Sequence, residues 1–303
     1  MNTQDMAAKI AGGNGFIAAL DQSGGSTPKA LRGYGVEDSE WSGDDEMFAK
    51  IHEMRSRIIT SPSFSNGKVI GAILFEKTMD GQVEGKTTPQ ALIDKGVVPF
   101  IKIDKGLEDE GSGGLGGVQM MKPMPELNAL LSRSKALGVF GTKERSVINA
   151  ANPEGIAAIV AQQFEVGEQV IAHGMMPMLE PEYNIKAADR AEGERILKAE
   201  ILKNLDALDD GKQVMLKLSI PVVPNTYAEL IAHPKVLAVV ALSGGYSTDE
   251  ACEHLAKNDG MIASFSRGLL QDLRATQSDE EFDATLGAAI DQICAASVAR
   301  VAA

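Results

Sequence analysis

Apolar residues along this chain gather in short runs, separated by longer stretches in which they recur every three or four positions. The runs are GFIAAL (Gly15–Leu20), VIGAILF (Val69–Phe75), VVPFIKI (Val97–Ile103), LGVFGT (Leu137–Thr142), MMPMLE (Met175–Glu180), QVMLKL (Gln213–Leu218), VLAVVAL (Val236–Leu242) and MIASFS (Met261–Ser266). Their lengths predict eight strands. Between most of them lie helix-like segments such as EGIAAIVAQQFEVGEQVIAHG and DRAEGERILKAEILKNLDAL. In the second, Ile196, Leu197, Ile201, Leu202 and Leu205 share helical spacing. Repeated β–α alternation predicts a parallel sheet, and eight units predict closure into a single (β/α)8 TIM barrel over residues 1–303. An open doubly wound sheet is the alternative.

One run interrupts its own pattern. In VMLKLSIP, Val214, Leu216, Leu218 and Ile220 fall on one face of a strand, and Met215, Lys217 and Ser219 on the other. A half-exposed strand would let Lys217 reach water. The alternative is a lysine kept from solvent because its chemistry needs a neutral amine. Other runs also end in polar groups. Asp21 follows the first and Glu76 the second; Lys102 and Asp104 close the third, and Lys143 and Arg145 follow the fourth. Glu180 ends the fifth, SGGYS follows the seventh and Arg267 the eighth. The C-terminal ends of barrel strands are where such enzymes carry their chemistry.

Composition narrows the setting. Hydrophobic residues at 44% and charged residues at 23% are ordinary for a globular protein with a sizeable core. A net charge of −13 argues against whole-molecule attraction to nucleic acid or an anionic membrane. An anionic ligand would have to bind where the few cations converge. No stretch has the length of a membrane span, and the N-terminal MNTQDMAAKIAGGNG lacks the features of a signal peptide. Cys252 and Cys294 are isolated thiols, which suits a reducing, cytoplasmic setting. The histidines, His52, His173, His233 and His254, are scattered, so no metal site is expected.

Two glycine-rich segments differ in meaning. GSGGLGG (Gly111–Gly117) contains G-x-G-x-x-G, the basis for a nicotinamide oxidoreductase reading. Acidic LEDE precedes it and a proline interrupts the next segment, so a flexible loop is the better prediction. LSGGYS instead joins an apolar strand to a turn and a helical segment. Its glycines would expose backbone N–H groups to an anion, although a plain turn uses the same residues.

Taken together, ALDQSGGSTPKAL, VVPFIKIDKG, FGTKERS, LEPE, VMLKLSIP, LSGGYS and SFSRGL resemble the class I (Schiff-base) fructose-1,6-bisphosphate aldolases, in their shorter bacterial form. The resemblance runs from about Gly15 to the last helix. It implies a metal-free, cofactor-free lyase that cleaves fructose 1,6-bisphosphate to dihydroxyacetone phosphate and glyceraldehyde 3-phosphate, in glycolysis or gluconeogenesis. By this match Lys217 is the Schiff-base lysine, and Lys143, taken to lie on the adjacent strand, would disfavour its charged form. Glu180 is the general acid/base of imine formation, with Glu182 beside it; Asp21 takes the C4 hydroxyl proton; Lys143 polarises groups near C4. Ser243, Gly244, Gly245, Ser264 and Arg267 correspond to the C1-phosphate site. Ser23, Ser26 and Lys102 correspond to the other phosphate, with Lys29 as a further cation. Asp104, Glu182 and Arg145 support the charged network.

The match has departures. Gln22 stands where many relatives carry a glutamate. Animal members end in a tyrosine implicated in protonating the enamine, whereas this sequence ends SVARVAA and its tyrosines, Tyr34, Tyr183, Tyr227 and Tyr246, are internal. Glu180, Glu182 or a water is expected to supply that proton. The partners expected are small sugar phosphates, with self-association into a homo-oligomer left open. Competing readings are another Schiff-base aldolase or transaldolase on the same fold, and a non-catalytic binding protein.

Overall fold

The computed structural model describes residues 1–65 and 67–299; the C-terminal residues 300–303, part of the tyrosine-free ending, lie outside the described residues. Eight parallel strands form one sheet. They are β1 (Phe16–Leu20), β2 (Val69–Leu74), β3 (Val98–Lys102), β4 (Gly141–Ile148), β5 (Met176–Tyr183), β6 (Val214–Ser219), β7 (Val236–Leu242) and β8 (Met261–Ala263). They pair in sequence order from β1 to β8. The eighth strand comes back against the first without a hydrogen-bonded ladder between them among the described residues, so the barrel is nearly closed.

Strand parity explains the two apolar layers. One set of alternate residues packs under the helices: Leu20, Leu74, Ile101, Leu179, Leu216 and Ala241 belong to the larger core. The other set points inward, and Ile17, Ile73, Phe100, Met178, Met215 and Val240 belong to a second, smaller core. Both faces of β6 are therefore buried, and the half-exposed strand of the sequence reading does not occur. Lys217 shares the inward face with Met215, one step nearer the C-terminal end.

Helices seal the outside and the bottom. The Pro153–Ala172 helix starts where Asn152 accepts a bond from Glu154 N–H and proline occupies the first turn. On Arg190–Ala207, Leu197, Ile201 and Leu205 are buried at helical spacing. A short N-terminal helix, Thr3–Ala11, is closed by an Asn2–Asp5 capping box. Its Met6 and Ile10 join the inner core and stopper the barrel floor.

The fourth strand differs most from its sequence assignment. It begins at Gly141 and runs to Ile148, so Lys143 and Arg145 lie within the strand and do not follow it. Its last residues are extended by an antiparallel pair, Val118 and Gln119, donated by the loop after β3. That loop contains Gly111–Gly117, which opens no helix of dinucleotide-binding type. Asn152 Nδ2 and Asn149 N–H both bind its backbone carbonyls, at 2.8 and 2.7 Å. At the other end of the set, β8 stops at Ala263, three residues before Ser266.

Candidate active site

The inward parity that supplies apolar side chains low in the barrel supplies charge at its C-terminal end. Ile17 and Ala19 lead to Asp21; Val98 and Phe100 lead to Lys102 and Asp104; Met178 leads to Glu180 and Glu182; Met215 leads to Lys217. On β4 the same face carries Lys143 and Arg145. Carboxylates and amines from neighbouring strands are thereby forced together in a place with little water.

Lys143 is the hub. Its Nζ lies 2.8 Å from Asp21 Oδ2, 3.0 Å from Glu180 Oε2 and 3.9 Å from Asp104 Oδ2. Lys217 Nζ lies 3.0 Å from the other oxygen of the same carboxylate, Glu180 Oε1. Side-chain exposure is only 3–5% for Lys143, Glu180 and Lys217, so these contacts are shielded from solvent screening. Lys102 Nζ reaches Asp104 Oδ1 at 2.7 Å, and Arg145 Nε pairs with Glu182 Oε2. The Arg145 backbone N–H also donates to Asp104 Oδ2 at 3.2 Å. Three lysines and three carboxylates thus form one connected network, to which the Arg145–Glu182 pair is joined through the Arg145 backbone N–H.

The electrostatics follow from that packing. Burial alone would push the Asp21 carboxyl up, but Lys143, Lys217 and Lys102 together hold it well below the usual carboxylate range. Burial alone would push the Lys143 amine down; Asp21, Glu180 and Asp104 outweigh it and raise it. Lys143 is therefore a fixed cation and Asp21 a fixed anion. Glu180 differs in kind. Although Lys143 Nζ approaches its Oε2, that buried oxygen has no aligned hydrogen-bond donor. The approach is a charge contact between two buried groups.

One expectation about this cluster changes. Lys143 is not on the strand next to Lys217: β5 lies between β4 and β6, and Glu180 stands between the two amines. The like-charge effect of Lys143 on Lys217 is thus offset by an intervening carboxylate. Glu182, expected as a supporting member of the charged network, is engaged by Arg145. Glu76, at the end of β2, joins Lys105 and Arg133 in a separate ion group at the rim, at 2.8 and 2.5 Å.

Residues after β7 and β8 form a second group. Gly244 and Gly245 have φ of 60° and 121°, and a Cβ on Gly244 would lie 2.5 Å from Ile185 Cγ2. Both facts require glycine in this turn. Beside it stand Ser243, the buried Ser264, whose Oγ has no partner among the described residues, and Arg267, which is exposed. Arg267 Nη1 reaches the Gly245 carbonyl at 3.5 Å, so the cation and the glycine turn adjoin. Ser23 and Ser26 sit after β1 and bind each other, with Ser26 Oγ accepting from Ser23 N–H and donating to Ser23 C=O at 2.9 and 2.8 Å. Lys29, on the Ser26–Tyr34 helix, is exposed.

The sequence reading missed several supporting groups. Arg55, on the Gly43–Thr60 helix, is fully buried behind Asp21 and donates to Thr78 Oγ1 at 2.7 Å and to the Gln22 carbonyl at 2.6 Å. Gln163 accepts from Glu180 N–H at 3.2 Å and donates to the Glu144 carbonyl at 3.3 Å, bracing β5 against β4. Arg190 pairs with Glu194 at 2.7 Å and donates to the hydroxyl of Tyr246, in the glycine turn, at 3.0 Å. Each looks like a routine helix polar residue in sequence, and only the tertiary contacts set it apart. No group of three His, Cys, Asp or Glu is arranged to hold a metal ion among the described residues.

Comparison with known proteins gives this arrangement a context. The family model for class-I fructose-bisphosphate aldolase matches residues 2–216. A Plasmodium falciparum fructose-bisphosphate aldolase, solved in complex with TRAP and a small-molecule inhibitor, superposes with a TM-score of 0.76 at 16% identity, covering 97% of this chain and 94% of that one. A Corynebacterium glutamicum protein superposes with a TM-score of 0.55 at 14% identity, covering 97% and 92%. At such identities the two structures show a shared barrel fold.

Proposed function

This chain belongs to the class-I fructose-bisphosphate aldolase family, and from that premise we propose that it reversibly cleaves fructose 1,6-bisphosphate to dihydroxyacetone phosphate and glyceraldehyde 3-phosphate through a Schiff base on Lys217. The observation that carries this reading is Lys217 itself: a buried amine at the end of an apolar strand, 3.0 Å from a carboxylate that also faces Lys143. The proposal takes the whole chain as one catalytic barrel acting on sugar phosphates in the cytoplasm, without a metal.

The chemistry maps onto the cluster. Lys217 Nζ, after giving a proton to Glu180 Oε1, attacks the C2 carbonyl, and Glu180 returns the proton as water leaves. The resulting iminium accepts the electron pair of the C3–C4 bond and becomes an enamine. Asp21 takes the C4 hydroxyl proton as that bond breaks, releasing the aldehyde. In the unliganded site Asp21 is a weak base because Lys143 holds its charge so firmly. A C4 hydroxyl placed between the two would share the Lys143 ammonium and return basicity to Asp21. Protonation of the enamine carbon and hydrolysis of the imine then free the triose.

Phosphate binding divides between the two ends. Arg267, Ser264 and the Ser243–Gly245 turn would hold the C1 phosphate by charge-assisted and backbone N–H bonds. Ser23, Ser26 and Lys102 would meet the other phosphate, with Arg145 supporting. The test is borohydride reduction in the presence of dihydroxyacetone phosphate, followed by peptide mass mapping. The reduced triose is expected on Lys217, and Lys217→Arg should give neither adduct nor turnover, because a guanidinium stays protonated. A label on Lys143 or Lys102, or none at all, overturns the reading.

A further inference from the structure

The gap in the barrel ladder between β8 and β1 is crossed at its mouth by Gln22. Its Nε2 donates to the Ala19 carbonyl at 3.1 Å and to Ser266 Oγ. Its Oε1 accepts from Arg55 Nη2 at 3.1 Å, and the same nitrogen holds the Gln22 carbonyl. Gln22 follows Asp21 directly, and Ser266 directly precedes Arg267. A single side chain therefore joins the residue proposed to take the substrate proton to the residue proposed to hold its C1 phosphate.

We propose that Gln22 is a positioning residue that ties these two ends of the site together across the open seam. This rests on the functional reading above. The amide is required by its neighbours. Ala19 C=O can only accept and Arg55 can only donate, so the group between them must do both at once. A carboxylate would set an acceptor against the Ala19 carbonyl. It would also neutralise Arg55, whose hydrogen bonds among the described residues go to uncharged oxygens and whose charge bears on Asp21. On the other side of the seam, Arg267 opens a helix of only four residues, and its one side-chain bond among the described residues is the 3.5 Å contact to Gly245. The Ser266–Gln22 bond fixes where that segment begins.

The experiment is a calorimetric titration of dihydroxyacetone phosphate into the wild type, Gln22→Met, Ser266→Ala and the double variant, each with its melting temperature. Removing either half of one hydrogen bond should weaken binding about three- to tenfold. Because both substitutions cut the same tie, the double variant should be no weaker than the more affected single one. Unchanged affinity in Ser266→Ala, single effects that multiply in the double variant, or a lower melting temperature with unchanged affinity each overturn the proposal. If Gln22→Met does not fold, Gln22→Asn, which keeps the amide but is one methylene too short to reach Ser266, takes its place. A parallel titration with inorganic phosphate needs no Schiff base. If the wild type gives no adduct on Lys217 yet phosphate affinity falls alike in the variants, the functional reading has failed and the tie stands. An adduct with unchanged affinities overturns the tie and leaves the Schiff-base reading standing.

Discussion

Lys143→Met removes the hub of the charge cluster while keeping most of the side-chain volume. Asp21, Glu180 and Asp104 then stay buried without the cation they share at 2.8, 3.0 and 3.9 Å. Removing one partner of a buried ion pair costs about 3–5 kcal/mol. That is a large part of a total stability on the order of 5–15 kcal/mol. The loss should also carry a pH signature. In the wild type Asp21 is depressed, because the lysines outweigh its burial, so its contribution is present above the usual carboxylate pKa and is lost on acidification. The raised Lys143 amine contributes fully at every pH below the ordinary lysine value, so it adds no slope near neutrality. In the variant, burial persists while the largest counter-charge is gone, and the folded pKa of the Asp21 carboxyl moves up. The unfolded chains differ only by an exposed lysine that does not titrate in this range. The stability gap should therefore be widest near about pH 7 and narrow toward about pH 4.5, as the variant takes up protons earlier. Urea unfolding at both pH values, followed by circular dichroism, measures it. A gap below about 1 kcal/mol at neutral pH, or one that does not narrow in acid, would refute this account of the cluster.

Two further substitutions test other parts of the structure. Arg267→Ala should lower kcat/KM for fructose 1,6-bisphosphate by roughly 30- to 1000-fold, about 2–4 kcal/mol, and weaken dihydroxyacetone phosphate far more than glyceraldehyde 3-phosphate. Intact dihydroxyacetone phosphate binding in that variant would mean the two phosphate ends are reversed. Gly193→Ala would drive a Cβ into the ring and hydroxyl of Tyr183, in a helix where alanine is otherwise preferred. The overpacking should cost about 1–3 kcal/mol, read as a lower melting temperature, and an unchanged or higher one would show that Tyr183 moves aside freely.

Much of this molecule could be read from its sequence, because the information was local. A strand such as VLAVVAL declares itself by length and β-branching, and Val236–Leu242 is the observed β7. Asp21, Lys102, Glu180 and Lys217 come together because each continues the inward parity of its strand, whereas Glu76 continues the outward parity of β2 and stays at the rim. Parity also explains the errors. LGVFGT is apolar but belongs mostly to the turn before β4, and the true strand, GTKERSVI, looks polar although its Lys143 and Arg145 are paired with carboxylates on the neighbouring strand. Burial of Lys217 on the inward face of β6 likewise depends on barrel closure, which no single segment encodes. Arg55 and Gln163 matter through contacts 33 and 17 residues away in sequence, and nothing in their own segments marks them; Gln22 stood out as a departure from the family, but its bond to Ser266, 244 residues away, is not legible there.

The stoppered floor sets an order of events for the reaction proposed here. With Met6 and Ile10 plugging the bottom and Met215 packed beneath Lys217, the amine stands at the end of a cul-de-sac. The water expelled when the imine forms, and the water needed later to hydrolyse it, must both pass through the opening that the sugar itself occupies. While the six-carbon chain is in place, it shields its own covalent link from hydrolysis. Departure of the aldehyde clears the passage, and only then can water reach the remaining triose. Release of glyceraldehyde 3-phosphate before dihydroxyacetone phosphate would thus be a consequence of having one door.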